Sequence, residues 1–290
     1  MALLSHACLG LAALAYSAAA VAYLWHLVAE VPGAGPRSPR GGGRAAAARL
    51  GTAGLAAGLV LHGLAVGALA VLRGPVLATN VREGLSLLAW LMGASFLAMD
   101  LRLGLPILGA FVTPLVLAIA FPALVIPTSD APLPPALHAG LLPIHVVAAF
   151  LGNALFAIAC GVGACYLVQE REMKGHARVA GLWSKLPSLE LLDGLNRRLV
   201  VWGFALLSFT IVSGSLVAHG AWGSAWSWEP REVLALVTWL VFGGLIQART
   251  LAGWRGRRAA LLTMLGFALA MVSFVGLSLC PVDRHGGTFR

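Results

Sequence analysis

Eight stretches of this chain are apolar over roughly the 20 residues that a helix needs to cross a bilayer core. They lie near residues 5–30, 49–72, 83–99, 105–125, 139–168, 199–218, 232–249 and 259–279. This pattern predicts an all-α fold, a polytopic transmembrane helical bundle of about eight spans. Composition agrees. The 290 residues are 59% hydrophobic and 11% charged, whereas a soluble domain carries about 25% charge to cover its surface. Lipid is therefore the expected solvent for most of the chain.

A formal charge of +9 would suggest nucleic acid as a partner in a soluble protein. Here the basic residues fall in short loops between apolar runs. They read as topology signals, and no nucleic-acid partner is expected. Arg37, Arg40, Arg44 and Arg49 follow the first run, and Arg102 follows the third. Arg171, Lys174, Arg178, Lys185, Arg197 and Arg198 follow the fifth, and Arg255, Arg257 and Arg258 follow the seventh. All four groups share one side, which the positive-inside rule makes cytoplasmic. Both termini and the loops at 73–82, 126–138 and 219–231 then face outward. The first run lacks the basic flank and short core of a cleavable signal, so it reads as a permanent span.

The segment 31–48 is rich in glycine and reads as a flexible basic linker. No Gly-Lys-Ser/Thr follows its glycines, so it is not a P-loop. The expected organisation is a first helix with its linker over 1–48 and one transmembrane domain over 49–290. The 169–198 loop reads as partly helical and amphipathic, resting on the inner leaflet. None of Cys8, Cys160, Cys165 and Cys280 forms a CxxC pair, which argues against thiol-redox or zinc chemistry. A Cys8–Cys280 bridge is open, since nothing in the spacing fixes their separation.

The chemistry concentrates in the outward loop His219-Gly-Ala-Trp222-Gly223-Ser-Ala-Trp226-Ser-Trp228-Glu229-Pro230-Arg231-Glu232. Interfacial placement alone accounts for one or two tryptophans. Three within seven residues suggest a flat apolar platform, because indoles offer large rigid faces with a polar N–H. A porphyrin has a matching face, and Arg231 is either a partner for a propionate or a solvated charge. Gly223 permits close backbone approach. Glu229 and Glu232 flank a helix start, where carboxylates also serve as caps. Haem iron needs axial ligands, commonly histidine. His145 lies a turn or two into the fifth span and His285 just beyond the eighth, while His138 and His219 share that face. Spacing does not choose among them. His62 lies in the middle of the second span, where an ionisable residue is costly and suggests function. A neutral histidine bonded to a neighbouring helix is the alternative. Asn80 and Glu83 match a capping pair at the start of the third helix.

Trp222-Gly223-x-x-Trp226-x-Trp228-Glu229-Pro230-Arg231-Glu232 resembles the WWD signature of the CcsA/ResC proteins of system II cytochrome c biogenesis. The haem-handling CcmC and CcmF proteins share that signature. Tyr166–Arg171, Leu186–Glu190, Leu192-Asp193-x-Leu195-Asn196-x-Arg198, Gly253–Arg258 and Pro75-x-x-x-x-Asn80-x-x-Glu83 extend the resemblance over most of 50–290. It implies that haem b is ligated by His145 and His285 against Trp222, Gly223, Trp226, Trp228 and Glu229, with His62 as an intramembrane haem contact. Where the family carries a second intramembrane histidine, this chain has Gln247; where it has Asp in the signature, this chain has Glu229.

The resemblance further implies a haem-delivery subunit of a cytochrome c synthase in the bacterial inner membrane. It would work with a ResB/CcsB-type membrane partner, lipid, and an apocytochrome c bearing CxxCH. A HemX-like haem-binding assembly or regulatory protein is the alternative, supported by Gln247. A small-molecule transporter fits less well, because charges within the spans are rare.

Overall fold

The computed structural model describes residues 2–28, 39–73, 78, 80–126, 141–174 and 187–276. Eight helices account for them: α1 (Ala2–Val28), α2 (Pro39–Arg73), α3 (Val81–Leu103), α4 (Pro106–Val125), α5 (Leu142–Lys174), α6 (Leu189–Trp222), α7 (Pro230–Leu251) and α8 (Arg257–Met271). A π-turn, Val272–Gly276, continues α8. There is no strand among the described residues. All eight helices, α8 together with the start of its π-turn, are long and apolar enough to cross a membrane. The chain is a multi-pass membrane protein.

Two boundaries differ from the sequence reading. The linker expected over 31–48 gives way to helix at Pro39. Proline suits the first helical position, and Ala45–Ala48 are strong helix formers that outweigh the preceding glycines. The 169–198 loop is also shorter, because α5 runs to Lys174 and α6 starts at Leu189. The Ser188 hydroxyl caps α6 by accepting from the Leu191 N–H at 3.3 Å. Both ends of that loop are helix extensions.

Glycine notches set the packing of α1. Tyr16 and Tyr23 lie a heptad apart on its buried face. A Cβ on Gly58 would stand 2.6 Å from the Tyr16 ring, and a Cβ on Gly51 2.9 Å from Tyr23. Gly109 of α4 makes the same allowance on the other side of Tyr23, at 2.6 Å. Small residues let helix backbones approach in lipid, where dispersion rather than hydrophobicity drives association. Polar groups finish the interface. The Tyr23 hydroxyl and Thr52 both donate to Asp100 Oδ2, at 3.2 and 3.1 Å. The buried Arg82 ties three helix ends, donating to Ala123 O on α4 and to His6 Nε2 on α1 at 2.6 and 2.9 Å.

The second half repeats the device with phenylalanine. Phe156 of α5 and Phe242 of α7 stack at 3.7 Å and 6°. Gly203 of α6 and Gly266 of α8 make room for them, since a Cβ at either would lie 2.6 or 2.7 Å from a ring. At the end of the bundle away from the tryptophan loop, a polar clamp joins α5, α6, α7 and α8. Arg249 donates to both Asp193 oxygens, at 3.1 and 3.2 Å, and to Asn196 Oδ1 at 2.7 Å. Asn196 also takes the Thr263 hydroxyl and gives its own N–H to Ala159 O.

Candidate functional site

The α6–α7 connection is ordered by its own polar groups. Helix α6 stops at Gly223, whose φ of 75° is left-handed, and whose N–H returns to His219 O at 2.9 Å. Glycine takes that conformation without strain. Helix α7 starts with Pro230 in its first turn and with Glu229 and Glu232 in a reciprocal capping box. The sequence expectation that these carboxylates cap is met. Glu232 does more than cap. Its carboxylate accepts from the Ser227 N–H at 2.8 Å, the Ser227 hydroxyl at 3.2 Å and the Glu229 N–H at 3.3 Å. One side chain thus holds half the loop from below.

The tryptophans project from this frame. Trp226 and Trp228 meet edge to face, 5.8 Å apart at 86°. Trp228 is 74% exposed and Trp222 is 41% exposed. Trp228 has a φ of 58°, a conformation that bulky residues avoid and that is found where a site over-determines the backbone. The Trp226 indole N–H is buried without a hydrogen-bond partner. A buried donor left alone is costly and marks a place for an acceptor.

His145 is on the first turn of α5 and faces α6. Its Nδ1 lies 3.0 Å from Ser213 Oγ. Ser213 has one hydroxyl proton, which goes to Thr210 O at 3.3 Å. In the Nδ1–H tautomer His145 donates to Ser213, and Nε2 carries the lone pair. This is the arrangement that orients metal-ligating histidines through their second nitrogen. Gly214 makes room for the ring, since a Cβ there would stand 2.9 Å from Cε1. Trp222 is nine residues beyond Ser213, about 13 Å further along α6 and half a turn around it. His145 thus lies at the base of the loop, on the other side of α6 from Trp222.

His62 is fully buried in the α1–α3 cluster. Its Nδ1 lies 3.1 Å from the Tyr16 hydroxyl and its Nε2 2.7 Å from Ser86 Oγ. Both ring nitrogens are engaged, so neither is presented to a ligand in this arrangement. Gln247 is exposed on α7, between the buried Leu245 and the clamped Arg249. Helices α2 and α7 share no packed interface, so the structure does not bring His62 and Gln247 together. His138, His285 and Cys280 lie outside the described residues. His219 is exposed in the last turn of α6. Asn80 caps α3, accepting from the Glu83 N–H at 2.9 Å as the sequence suggested.

The description "Cytochrome C assembly protein" belongs to a family model that matches residues 78–281. The chain belongs to that family. Among curated relatives, the cytochrome c biogenesis protein CcsA of Gloeothece citriformis is 32% identical over 283 residues, covering 81% of this chain and 86% of the relative. The CcsA of Synechococcus elongatus is 31% identical over 280 residues, with the same coverage. That of Guillardia theta is 34% identical over 225 residues, 71% of this chain and 75% of the relative. The family segment contains His145 and the whole tryptophan loop, and leaves His62 and His285 outside it.

Sequence reading missed the residues that position others. Ser213 and Gly214 sit where α6 meets α5, about two to three helical turns beyond Leu206, which packs on Gly152, and the notch at Gly203. Small residues recurring along α6 were the available signal. The bonds from Glu232 to Ser227 had none, because they depend on the left-handed turn at Trp228.

Proposed function

We propose that this chain is the haem-delivery subunit of a system II cytochrome c synthase. It holds haem b at the tryptophan loop for covalent attachment to apocytochrome c. The observation that carries the reading is the loop: two exposed indole faces and one unpartnered indole N–H, held by Glu232, in a member of the cytochrome c assembly family. The residues at the loop tip fit the group: Trp228 offers a flat apolar face, Gly223 close approach, and the Trp226 N–H a donor to an acidic oxygen, whereas Trp222 lies on the other side of α6 from His145 and does not share a haem face with it. His145 Nε2 serves as one axial ligand, with its tautomer set by Ser213. His285 supplies the other in this reading, and Glu229 fixes the start of α7 beneath the platform.

Bound haem supplies two vinyl groups, across each of which a CxxCH thiol S–H adds to form a thioether. The chain's own residues orient the ring, exclude water from one face and leave an edge open for the apocytochrome segment. The functional unit is 49–290, with residues 1–48 contributing α1 to its packing. The loop faces the outside of the bacterial inner membrane, as do both termini, since Arg197, Arg198, Arg255, Arg257 and Arg258 cluster at the other end. A ResB/CcsB-type membrane protein is the proposed partner. His62 becomes a haem contact only on release from Ser86 or Tyr16, so the reading rests on the loop site.

Absorption spectra of the purified protein and of His145→Ala and His285→Ala variants test this. Loss of the haem bands in both supports the axial pair, and unchanged haem in both defeats it. The HemX-like alternative draws on one observation, the exposed Gln247 where the resemblance expects histidine. Normal cytochrome c maturation in cells lacking the chain would favour it.

A further inference from the structure

At the end of the bundle opposite the tryptophan loop, the described residues gather more positive charge than their carboxylates offset. Arg197, Arg198, Arg255, Arg257 and Arg258 are all exposed there. The Asp193 carboxylate is already occupied by Arg249 and by the Gly256 N–H, at 3.0 Å. Arg197 and Arg255 stand near enough for their charges to oppose that of Arg249. One carboxylate, held by Arg249, thus sits among three neighbouring arginines, Arg197 a helical turn beyond it on α6 and Arg255 next to the Gly256 N–H that the carboxylate accepts. The α7–α8 turn is fixed in place by left-handed Gly253 and Gly256, and α8 begins at Gly256 with no side-chain cap. Its free N–H groups add partial positive charge to the same corner.

What lies below the charges indicates the ligand. Residues four apart on a helix stack one above the other. Arg197 lies over Val201, Arg198 over Trp202 and Arg257 over Leu261, and these three apolar side chains are 42%, 68% and 47% exposed. Leu251, at the end of α7, is 82% exposed. The half-buried Trp254 sits between, with the Arg258 guanidinium 5.6 Å from its ring centre. Arg197, Arg198 and Arg257 thus each crown a strip of exposed apolar surface at the end of a span, and Arg255 stands in the turn beside them. A ligand with an anionic head and apolar tails matches both levels, and basic pockets between span ends are where such headgroups bind.

We propose that the α7–α8 turn and the adjoining face of α6 bind the phosphate headgroup of an anionic phospholipid, with Arg197 and Arg255 as the main contacts. The acyl chains lie along Val201, Trp202 and Leu261. The clamp of Asp193, Asn196 and Arg249 positions the turn and does not itself touch the lipid.

Native mass spectrometry of the full chain, released from detergent with added phosphatidylglycerol or phosphatidylcholine, tests the site. The expected result is tight binding of phosphatidylglycerol over phosphatidylcholine. The dissociation constant should rise roughly 10-fold or more in Arg197→Gln/Arg255→Gln. Arg255→Gln alone, in an exposed turn outside the clamp, should move it in the same direction by about threefold. Arg49→Gln/Arg102→Gln removes equal charge from exposed positions on α2 and α3, which do not pack against α6, α7 or α8, and should leave it within about twofold. Equal loss in that control would mean diffuse charge attraction and overturn the site. Equal affinity for the two lipids would do the same. Displacement of the lipid by millimolar inorganic phosphate would mark a free-phosphate site instead and overturn the lipid assignment.

Discussion

Replacing Gly214 or Ser213 should weaken haem binding without touching a ligand. A Cβ at position 214 would stand 2.9 Å from His145 Cε1, and ordinary contact begins at 3.4 Å. In Gly214→Ala the ring must therefore retreat by at least about 0.5 Å. The Nδ1–Ser213 distance of 3.0 Å then reaches about 3.5 Å, where a hydrogen bond is lost. Ser213→Ala removes the same bond directly. In both variants an Nδ1–H loses its acceptor, and the tautomer with Nε2–H, which cannot ligate iron, becomes more populated. Loss of such a partner typically costs 10–100-fold in metal affinity. Haem titration of the purified variants, followed by the absorption bands, should show a Kd about 10-fold higher than wild type. Ser215→Ala is the control, because that hydroxyl donates only to Ile211 O of its own helix at 3.0 Å. Wild-type affinity in both test variants, or an equal loss in Ser215→Ala, would refute the assignment of Nε2 as the iron ligand.

Glu232→Ala removes three hydrogen bonds that hold Ser227 and Glu229. Bonds to a charged group contribute about 1.5–3 kcal/mol each at most; tryptophan fluorescence should shift red and haem affinity fall, with the bundle's helix content by circular dichroism retained. Asp193→Leu strands the buried Arg249 guanidinium and should destabilise by about 3 kcal/mol, read as a lower midpoint of thermal unfolding in detergent. Adding Arg249→Met should restore most of that loss, because the unpaired charge is then gone. Gly203→Val places a branched side chain against Phe156, where even a Cβ lies 2.6 Å away; overpacking should cost about 1–3 kcal/mol and reduce the yield of folded protein.

The eight spans were legible because lipid imposes one demand on every span, continuous apolar length, and each run from the first to Arg257–Phe274 meets it. Helix ends were less legible. Hydropathy stops at the edge of the bilayer, whereas α2 and α6 continue beyond it on local propensity and capping by Ser188. The loop was legible as composition, since three tryptophans stand out in any reading. Its geometry was not, because Glu232 reaches Ser227 only after the chain turns left-handed at Trp228. His62 shows the opposite limit. Its burial was readable from position, but Tyr16 and Ser86 come from two other helices and no spacing pairs them.

The left-handed Trp228 has an evolutionary consequence. Its side chain is 74% exposed, so packing does little to offset the backbone strain, and the Glu232 carboxylate bears most of that task. Positions 228 and 232 are therefore epistatic. Loss of the carboxylate should harm a chain with tryptophan at 228 more than one in which Trp228→Gly has already relaxed the turn. Selection that keeps a large indole at the tip must also keep the acid four residues on, whatever happens to Ser224 and Ala225 between the tryptophans.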